Sequence, residues 1–485
     1  MLVPLIAGLS AFLIANDRRR RVLLVAASAA HLVLTISVLI ARPEIAPGAW
    51  FGLDALGLLF LAVISGLFFG ASVYAVKYLS FEKYDPGEDA DEGFIFNNEP
   101  EPVFIGCLLL FLSAMTAVTV SRHLGMLWAA VEATTLLSAP LIYFHRHKRS
   151  LEATWKYLLI CSVGIALALM GNLFLGAAGI KAGADLDLGS LLAKAAMLDP
   201  AWLKAGFLFL FVGYGTKMGL APFHTWLPDA HSESPAVVSA LLSGALLNCA
   251  FLGILRAAQV CAGAGLADFT GDILILFGLL SLITAALFIL GQRDYKRMLA
   301  YSSIEHMGIL SLGIGLGGGA IYGALLNAVA HSLTKAGLFF VSGVILAAYK
   351  TKQITEVKGL FRHLPKTGIL WLTGFFLITG TPPSGIFLGK LMILKAAVAG
   401  GHYAAAAAYL FFLAVVFAGL GRIFLKMTFG EAPPVAAAGK PGKTSRQLLI
   451  PAACFFVCVI VLGLYMPDWF SDIIAGAQNL IGGAI

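Results

Sequence analysis

Charged side chains are scarce in this sequence. Asp, Glu, Lys and Arg make up 12% of its 485 residues, whereas hydrophobic residues make up 59%. This composition excludes a water-soluble globular protein, which needs a larger polar share to cover its surface. Long apolar runs recur along the whole chain, and each is long enough to cross the ~30 Å hydrocarbon core of a bilayer. We therefore predict an all-α integral membrane protein that contacts the lipid bilayer.

Cofactor and metal motifs are also missing. The six cysteines include no CxxC pair, and Cys454 and Cys458 lie one helical turn apart in an apolar run, where we expect packing residues. There is no Gly-rich dinucleotide loop, P-loop, haem motif or iron–sulfur motif. These absences argue against a redox enzyme that acts alone. We predict no cofactor, no metal site and no catalytic residue.

A basic surface for nucleic acid is absent too, although the net charge is +7. The basic residues lie in short loops between apolar runs, and no basic face carries interleaved aromatic residues. The positive-inside rule explains this distribution better than a nucleic-acid partner does.

The apolar runs predict about fourteen transmembrane helices. Their predicted ranges are 1–16, 21–41, 52–80, 103–121, 124–144, 152–177, 203–224, 235–262, 271–292, 299–317, 320–349, 367–400, 403–427 and 447–467. The charges of the loops predict the orientation of these helices. If the N-terminus lies outside, the inside loops hold about four times as many basic residues as the outside loops, as the positive-inside rule expects. We therefore expect a multi-pass protein of the cytoplasmic (inner) membrane with both termini on the outer, periplasmic side. The basic cluster at 18–21 follows the first run, so we expect that run to be retained as a span rather than cleaved.

Two of these spans are predicted to be broken helices. Pro222 interrupts the seventh, and Pro382 and Pro383 interrupt the twelfth, where they are flanked by permissive glycines. Irregular backbone at membrane depth survives only where it faces protein or a wet cavity. Since the breaks are five spans apart, and an odd offset reverses topology, we expect two inverted five-helix repeats, each with one broken helix.

This pattern divides the chain into four predicted parts. They are three N-terminal helices with an acidic inner loop (1–102), a first bundle (103–262), a second inverted bundle (271–427), and a last helix with a short amphipathic tail (447–485). The acidic loop at 81–102 has two interpretations, a solvated loop or a docking site for a partner on the inner side. The tail after Pro467 is expected to lie along the outer surface.

Ionisable residues inside the predicted spans are the candidate functional residues. Glu132 and Lys217 lie within spans five and seven, His331 and Lys335 lie one turn apart in span eleven, and Lys390 follows the second break. His306, next to Glu305, is placed near the inner start of span ten. Each charge at bilayer depth costs roughly 2.5–3.5 kcal/mol on insertion scales, so we interpret these residues as functional.

The residue types fit proton transfer. A lysine removed from water gives up its proton more readily, and a nearby carboxylate makes it hold the proton again, so a Glu–Lys pair that forms and breaks can act as a switch. Structural alternatives remain open. Glu132 and Lys217 could form a static ion pair, His331 a polar helix contact, and Lys395 and Lys156 could reach the membrane surfaces.

Two long stretches resemble a known family. KMGLAPFHTWLPDAH (217–231) and DYKRMLAYSSIEHMG (294–308) are similar to the motifs of the antiporter-like subunits of respiratory complex I and of membrane-bound group 4 [NiFe]-hydrogenases. VEATTLLSAP (131–140) and SIEH (303–306) resemble most closely the F-type subunit of hydrogenase-four. The family also includes large subunits of multi-subunit sodium/proton antiporters.

The resemblance implies fourteen helices in which Glu132 pairs with Lys217, while Lys335 and Lys390 continue a polar axis through the membrane. Asn248 stands where many relatives carry a lysine, so the central link would depend on water or be weakened.

The predicted function is that of a proton-translocating subunit of a redox-driven complex. Its expected partners are other membrane subunits, including a second antiporter-like subunit, and a hydrogenase or complex I-like peripheral arm. The alternatives are a sodium/proton antiporter subunit and a structural subunit that no longer conducts.

Overall fold

The computed structural model describes residues 1–46, 48–82, 87–88, 95–96, 98–431 and 446–482. Within these ranges the chain is almost entirely helical. One exception is a pair of two-residue strands, β1 (Gly87–Glu88) and β2 (Ile95–Phe96), which are antiparallel.

The helices form four groups along the chain. The N-terminal group contains α1 (Leu2–Leu13), α2 (Asp17–Ala41) and α3 (Ala55–Glu82). What we call the first unit contains α4 (Glu101–Val120), α5 (Leu124–Ile142), α6 (Lys148–Gly179), α7 (Leu188–Ala193), α8 (Pro200–Met218), α9 (Trp226–Glu233), α10 (Ala236–Leu241) and α11 (Leu247–Gly263). What we call the second unit contains α12 (Ala267–Leu290), α13 (Tyr295–Leu316), α14 (Gly319–Tyr349), α15 (Leu360–His363), α16 (Pro365–Thr379), α17 (Gly385–Ala399) and α18 (Tyr403–Phe429). The last group contains α19 (Ile450–Leu464) and α20 (Asp468–Gly482).

The predicted all-α membrane fold is confirmed. Ten spans in the described part of the chain are long and apolar enough to cross a membrane. The other four predicted spans correspond to the 12-residue α1, to α8 and α13, which carry lysines, and to the broken pair α16 and α17. These helices lack a long continuous apolar run, because α1 is short and polar residues or a break interrupt the others.

Small residues let the helices of each unit pack closely. A Cβ on Gly213 of α8 would lie 2.5 Å from the carbonyl oxygen of Gly164 in α6, and one on Gly323 of α14 would lie 2.8 Å from that of Gly389 in α17. Close backbone approach of this kind provides the van der Waals contact that holds helices together in lipid. The α6–α8 contact of the first unit and the α14–α17 contact of the second unit therefore have the same kind of close packing, as an internal repeat requires.

Both predicted helix breaks are present. In the first unit Gly219, with φ 83°, is the C-cap residue of α8, and α9 begins only at Trp226. In the second unit Gly380, with φ 79°, is the C-cap residue of α16, and the Ser384 hydroxyl caps the start of α17 by accepting from the Phe387 N–H at 3.1 Å. A left-handed glycine ends a helix without the steric cost that other residues would meet.

The predicted locations of the tail and of the acidic loop stay predictions. The tail forms α20, which buries Phe470 and Ile474 and packs against α3, α11 and α14 while Trp469 stays exposed. Half of the acidic loop at 81–102 lies outside the described residues, so its docking role remains a prediction. The four-part division of the chain also remains a prediction.

Candidate functional site

In the first unit, Glu132 and Lys217 meet through a shared hydroxyl. The Lys217 ammonium donates to the Thr135 hydroxyl at 2.7 Å and to the Tyr157 hydroxyl at 2.6 Å. The Thr135 hydroxyl in turn donates to a Glu132 carboxylate oxygen at 3.1 Å, and Ser162 donates to the other oxygen at 3.0 Å. Lys217 is fully buried, whereas Glu132 is only partly buried. The expected partners are therefore neighbours, bridged by Thr135 instead of joined in a direct ion pair.

Near the middle of the molecule, Asn248 contacts the second unit. Its amide donates to the Ser332 hydroxyl on α14 at 2.7 Å and to the Gly244 carbonyl at 2.9 Å. Gly244 lies in a π-helical turn, Leu242–Leu246, which interrupts the span between α10 and α11. Such turns occur often at functional sites. The π turn helps to place Asn248 at the junction of the two units.

Lys335 lies one turn beyond His331 on α14 and is fully buried. Its ammonium donates to the Leu299 carbonyl and to the Ser302 hydroxyl, both on α13. The His331 ring stacks on His306 of α13, with 4.7 Å between the ring centroids. The α13–α14 contact thus carries a row of titratable and polar side chains.

Lys390 makes a direct ion pair. Its ammonium lies 3.0 Å from a Glu305 carboxylate oxygen, and the two side chains are 8% and 1% exposed. The same ammonium donates to the Thr379 carbonyl at the end of α16, at 3.3 Å. A cation at a helix C-terminus is favoured by the helix dipole, so the break itself helps to hold Lys390.

The structure corrects one predicted position and reveals partners that the sequence analysis missed. Glu305 and His306 were placed near the inner start of a span, but α13 begins earlier, at Tyr295, and they lie midway along it. Thr135, Tyr157 and Ser302 were not anticipated as partners, since a hydroxyl in an apolar run carries no sequence signal. For Glu305 there was a signal, because Glu305 and Lys390 are separated by 85 residues, as are Glu132 and Lys217.

Several candidates lie away from this axis. Lys395 is exposed on α17, and Lys156 pairs with Glu152 at 2.6 Å and with Asp229 at 3.1 Å. His231, buried on α9, stacks on Phe339. Among the described residues, no group of three or more His, Cys, Asp or Glu side chains is arranged to hold a metal ion.

Comparisons with known proteins agree with this architecture. A family profile described as "NADH:quinone oxidoreductase/Mrp antiporter, TM" matches residues 121–417, more than half of the chain. The chain is 36% identical over 439 residues to the hydrogenase-4 component F homolog of Methylacidiphilum infernorum (isolate V4), and the match covers 87% of this chain and 88% of that protein.

Two solved structures share the fold. A chain of the Mrp complex from Dietzia sp. DQ12-45-1b superposes with a TM-score of 0.85 at 20% identity, covering 99% of this chain and 96% of that one. A chain of respiratory complex I from Thermus thermophilus gives 0.82 at 22% identity, covering 99% of both. Because both superpositions cover 99% of this chain, the predicted antiporter-like helical fold is confirmed. The chain is therefore an antiporter-like membrane subunit and belongs to the NADH:quinone oxidoreductase/Mrp antiporter transmembrane family.

Proposed function

We propose that the chain moves protons across the membrane through Glu132, Lys217, Asn248, His331, Lys335 and Lys390. The observation that carries this proposal is the placement of ionisable side chains at mid-helix or beside the helix breaks in both units, each within hydrogen-bond or ring contact of another polar group. Intramembrane ionisable residues are costly, and in transporters they mark proton and ion pathways.

In the first unit the bridge through Thr135 supplies a switch. Lys217 is held by two hydroxyls, and one of them also contacts Glu132. A rotation that brings the ammonium onto the carboxylate would make Lys217 hold its proton, and the return to the hydroxyls would favour release. The lysine can thus load and unload a proton without large helix movement.

The two units connect through the centre. Helix α8, which carries Lys217, packs against α11, which carries Asn248, and Asn248 contacts Ser332 beside His331 on α14. Because an amide cannot hold a proton as an ammonium does, Asn248 serves here by hydrogen-bonding water between the units. From Ser332 the path continues to Lys335 and then to Lys390.

The chain would act as one subunit of a redox-driven complex. The family contains subunits of multi-subunit membrane complexes, and its relatives include a hydrogenase-4 component F homolog. We therefore propose a second antiporter-like membrane subunit and a hydrogenase or complex I-like peripheral arm as partners. We also propose the cytoplasmic membrane as the location, with both termini outside, from the loop charges.

The test is proton translocation by inverted membrane vesicles that contain the complex. Lys217→Ala and Glu132→Ala should each lower the proton flux per redox turnover by at least about tenfold, the scale of a lost proton-transfer group. Assembly should persist, and Lys395→Ala is the matched control because that lysine is exposed on α17. Normal flux in both variants would mean that the pair is structural and would contradict the proposal.

The same vesicles separate the remaining alternatives. A flux that requires sodium would identify a sodium/proton antiporter subunit. A flux that is unchanged by every axis substitution would identify a structural subunit, for which Asn248 is the strongest argument.

A further inference from the structure

The second unit contains a carboxylate with no assigned role in the proposed path. Glu305 is buried at the middle of α13, and only one of its oxygens, Oε1, contacts Lys390. Within the described part of the chain, its other oxygen, Oε2, is buried without a hydrogen-bond donor. A purely structural ion pair would be expected to satisfy that acceptor, since an unmade buried hydrogen bond costs about 1–3 kcal/mol. A free acceptor inside a polar cluster is a place where a proton can be received.

Glu305 also occupies the position that Glu132 has in the first unit. Each lies near the middle of the second long helix of its unit, on α5 and α13 respectively. Each is 85 residues from the lysine of the broken helix. The lysines differ in one respect, because Lys217 precedes its break whereas Lys390 follows it.

A row of groups leads to Glu305 from the centre. Ser302, which accepts from Lys335, lies one turn before Glu305 and His306 on α13. The next side chain, His306, stacks on His331, and neither ring nitrogen of His331 has a hydrogen-bond partner among the described residues. A proton that leaves Lys335 thus has titratable neighbours up to the Glu305–Lys390 pair.

The helix break between α16 and α17 makes room for Lys390 and offers it a second acceptor. Gly380 has φ 79°, and a Cβ there would lie 3.0 Å from Cδ of Lys390. The glycine therefore leaves room for the lysine stem, and the Thr379 carbonyl provides a second acceptor for the ammonium. Lys390 has a place to bind when Glu305 releases it.

We propose that Glu305 is the proton-accepting carboxylate of a second Glu–Lys relay pair, with Lys390 as the group that passes the proton outward. A proton from His306 or water neutralises Glu305 and ends the ion pair. The Lys390 ammonium, now without its counter-charge, gives one proton to water beyond the break and becomes an amine. The Glu305 carboxyl then protonates that amine and restores the ion pair. One proton enters at Glu305 and one leaves from Lys390 in each cycle. This inference rests on the proposed function.

The experiment measures proton flux per redox turnover in vesicles that contain the intact complex. Glu305→Gln keeps the shape of the side chain and removes its charge, so flux should fall by at least about tenfold. Glu305→Asp should recover part of the flux, because it restores a carboxylate. Glu152→Gln is the matched control, since Glu152 also pairs with a lysine but is 64% exposed. Wild-type flux in Glu305→Gln would overturn the inference.

A double variant separates a relay from a structural pair. If Glu305 and Lys390 form only a structural pair and neither carries protons, Glu305→Gln with Lys390→Gln removes both charges and should return flux to the wild-type level, which would overturn the inference and remove Lys390 from the proposed path. If the pair is a relay, the double variant stays deficient. Lys217→Ala, measured in parallel, tests the proposed function separately. Loss of flux in Lys217→Ala with wild-type flux in Glu305→Gln would reject this inference alone.

Discussion

The first and second units each place a glutamate and a lysine beside a broken helix, but the two Glu–Lys pairs differ in their contacts. In the first unit Lys217 binds the hydroxyls of Thr135 and Tyr157, and Glu132 is reached only through Thr135. In the second unit Lys390 binds Glu305 directly. The two units therefore place their charges at similar positions. The pair is bridged where hydroxyls bind the lysine, which we call the open state, and direct where the lysine binds the carboxylate, which we call the closed state. One chain thus contains one bridged pair and one direct pair, the two arrangements that the proposed switch requires.

The largest expected difference between the units concerns stability. Lys390→Met leaves Glu305 as an unpaired buried charge, which should cost about 3–5 kcal/mol. Lys217→Met leaves Tyr157 bonded to Ser138 and Thr135 bonded to Glu132. The loss of folding stability should therefore be smaller, at most about 3 kcal/mol. Thermal inactivation of the detergent-purified complex compares the two variants. Equal loss would show that the open and closed states of the pairs are not a real difference between the units.

Close helix packing, in contrast, should be equivalent in the two units. Gly213→Ala and Gly323→Ala each place a methyl group against a backbone carbonyl, at 2.5 and 2.8 Å. Overpacking of this kind costs about 1–3 kcal/mol. Thermal inactivation should show similar losses for both, with Gly176→Ala as control because nothing lies within 4 Å of a Cβ there. A loss in one unit only would argue against a shared packing plan.

The Asn248–Ser332 contact between the two units should affect proton flux more than folding stability. Asn248→Leu removes the amide that contacts Ser332, and we expect proton flux to fall about tenfold, equivalent to about 1.4 kcal/mol. Asn172→Leu is the matched control, since Asn172 is a buried amide on α6 away from the axis. Asn248→Lys should also change the flux. Wild-type flux in both Asn248 variants would remove this residue from the path.

The smallest effect concerns an ion pair that ties the units together at one edge. Glu233, at the end of α9, lies 2.8 Å from Lys352, which follows α14. Burial by itself raises the pKa of Glu233. The Lys352 ammonium and the hydrogen bonds to Lys352 and Ser232 outweigh this effect, and together they lower the pKa to about 2. An unfolded glutamate titrates near ~4.3, so the carboxylate stabilises the fold above that pH and loses its contribution as pH falls toward about 2.

The corresponding variant is Glu233→Gln. It should lower stability by on the order of 1 kcal/mol at neutral pH, and the difference from wild type should shrink as pH falls below ~4.3. Thermal inactivation across pH measures this. A difference that is independent of pH would assign the effect to packing instead of charge.

Much of the fold could be predicted from the sequence, because lipid requires long apolar helices and proline with glycine must interrupt them. The breaks at Pro222 and at Pro382–Pro383 were predicted for that reason and are present. The depth of residues along α13 was harder to predict. Lys296 and Arg297 lie at the start of this helix, so its first residues do not belong to the apolar run. Asp294, which caps it by accepting from the Lys296 and Arg297 N–H groups, was the available signal.

The candidate site was predictable by residue type but not by contact. Lys217, Lys335 and Lys390 stand out as charges within apolar runs. Their partners do not, because Thr135 and Ser302 are common in membrane helices and become partners only when two helices meet. The Glu305–Lys390 pair depends on how α13 approaches α17, which no local pattern encodes.

Proton flux per redox turnover across four single-charge variants tests the account most directly. Glu132→Gln, Lys217→Gln, Glu305→Gln and Lys390→Gln should each lower flux by at least about tenfold. The exposed controls, Glu152→Gln and Lys395→Gln, should pump as wild type does. Wild-type flux in both variants of either unit would contradict the claim that both units carry a working Glu–Lys relay.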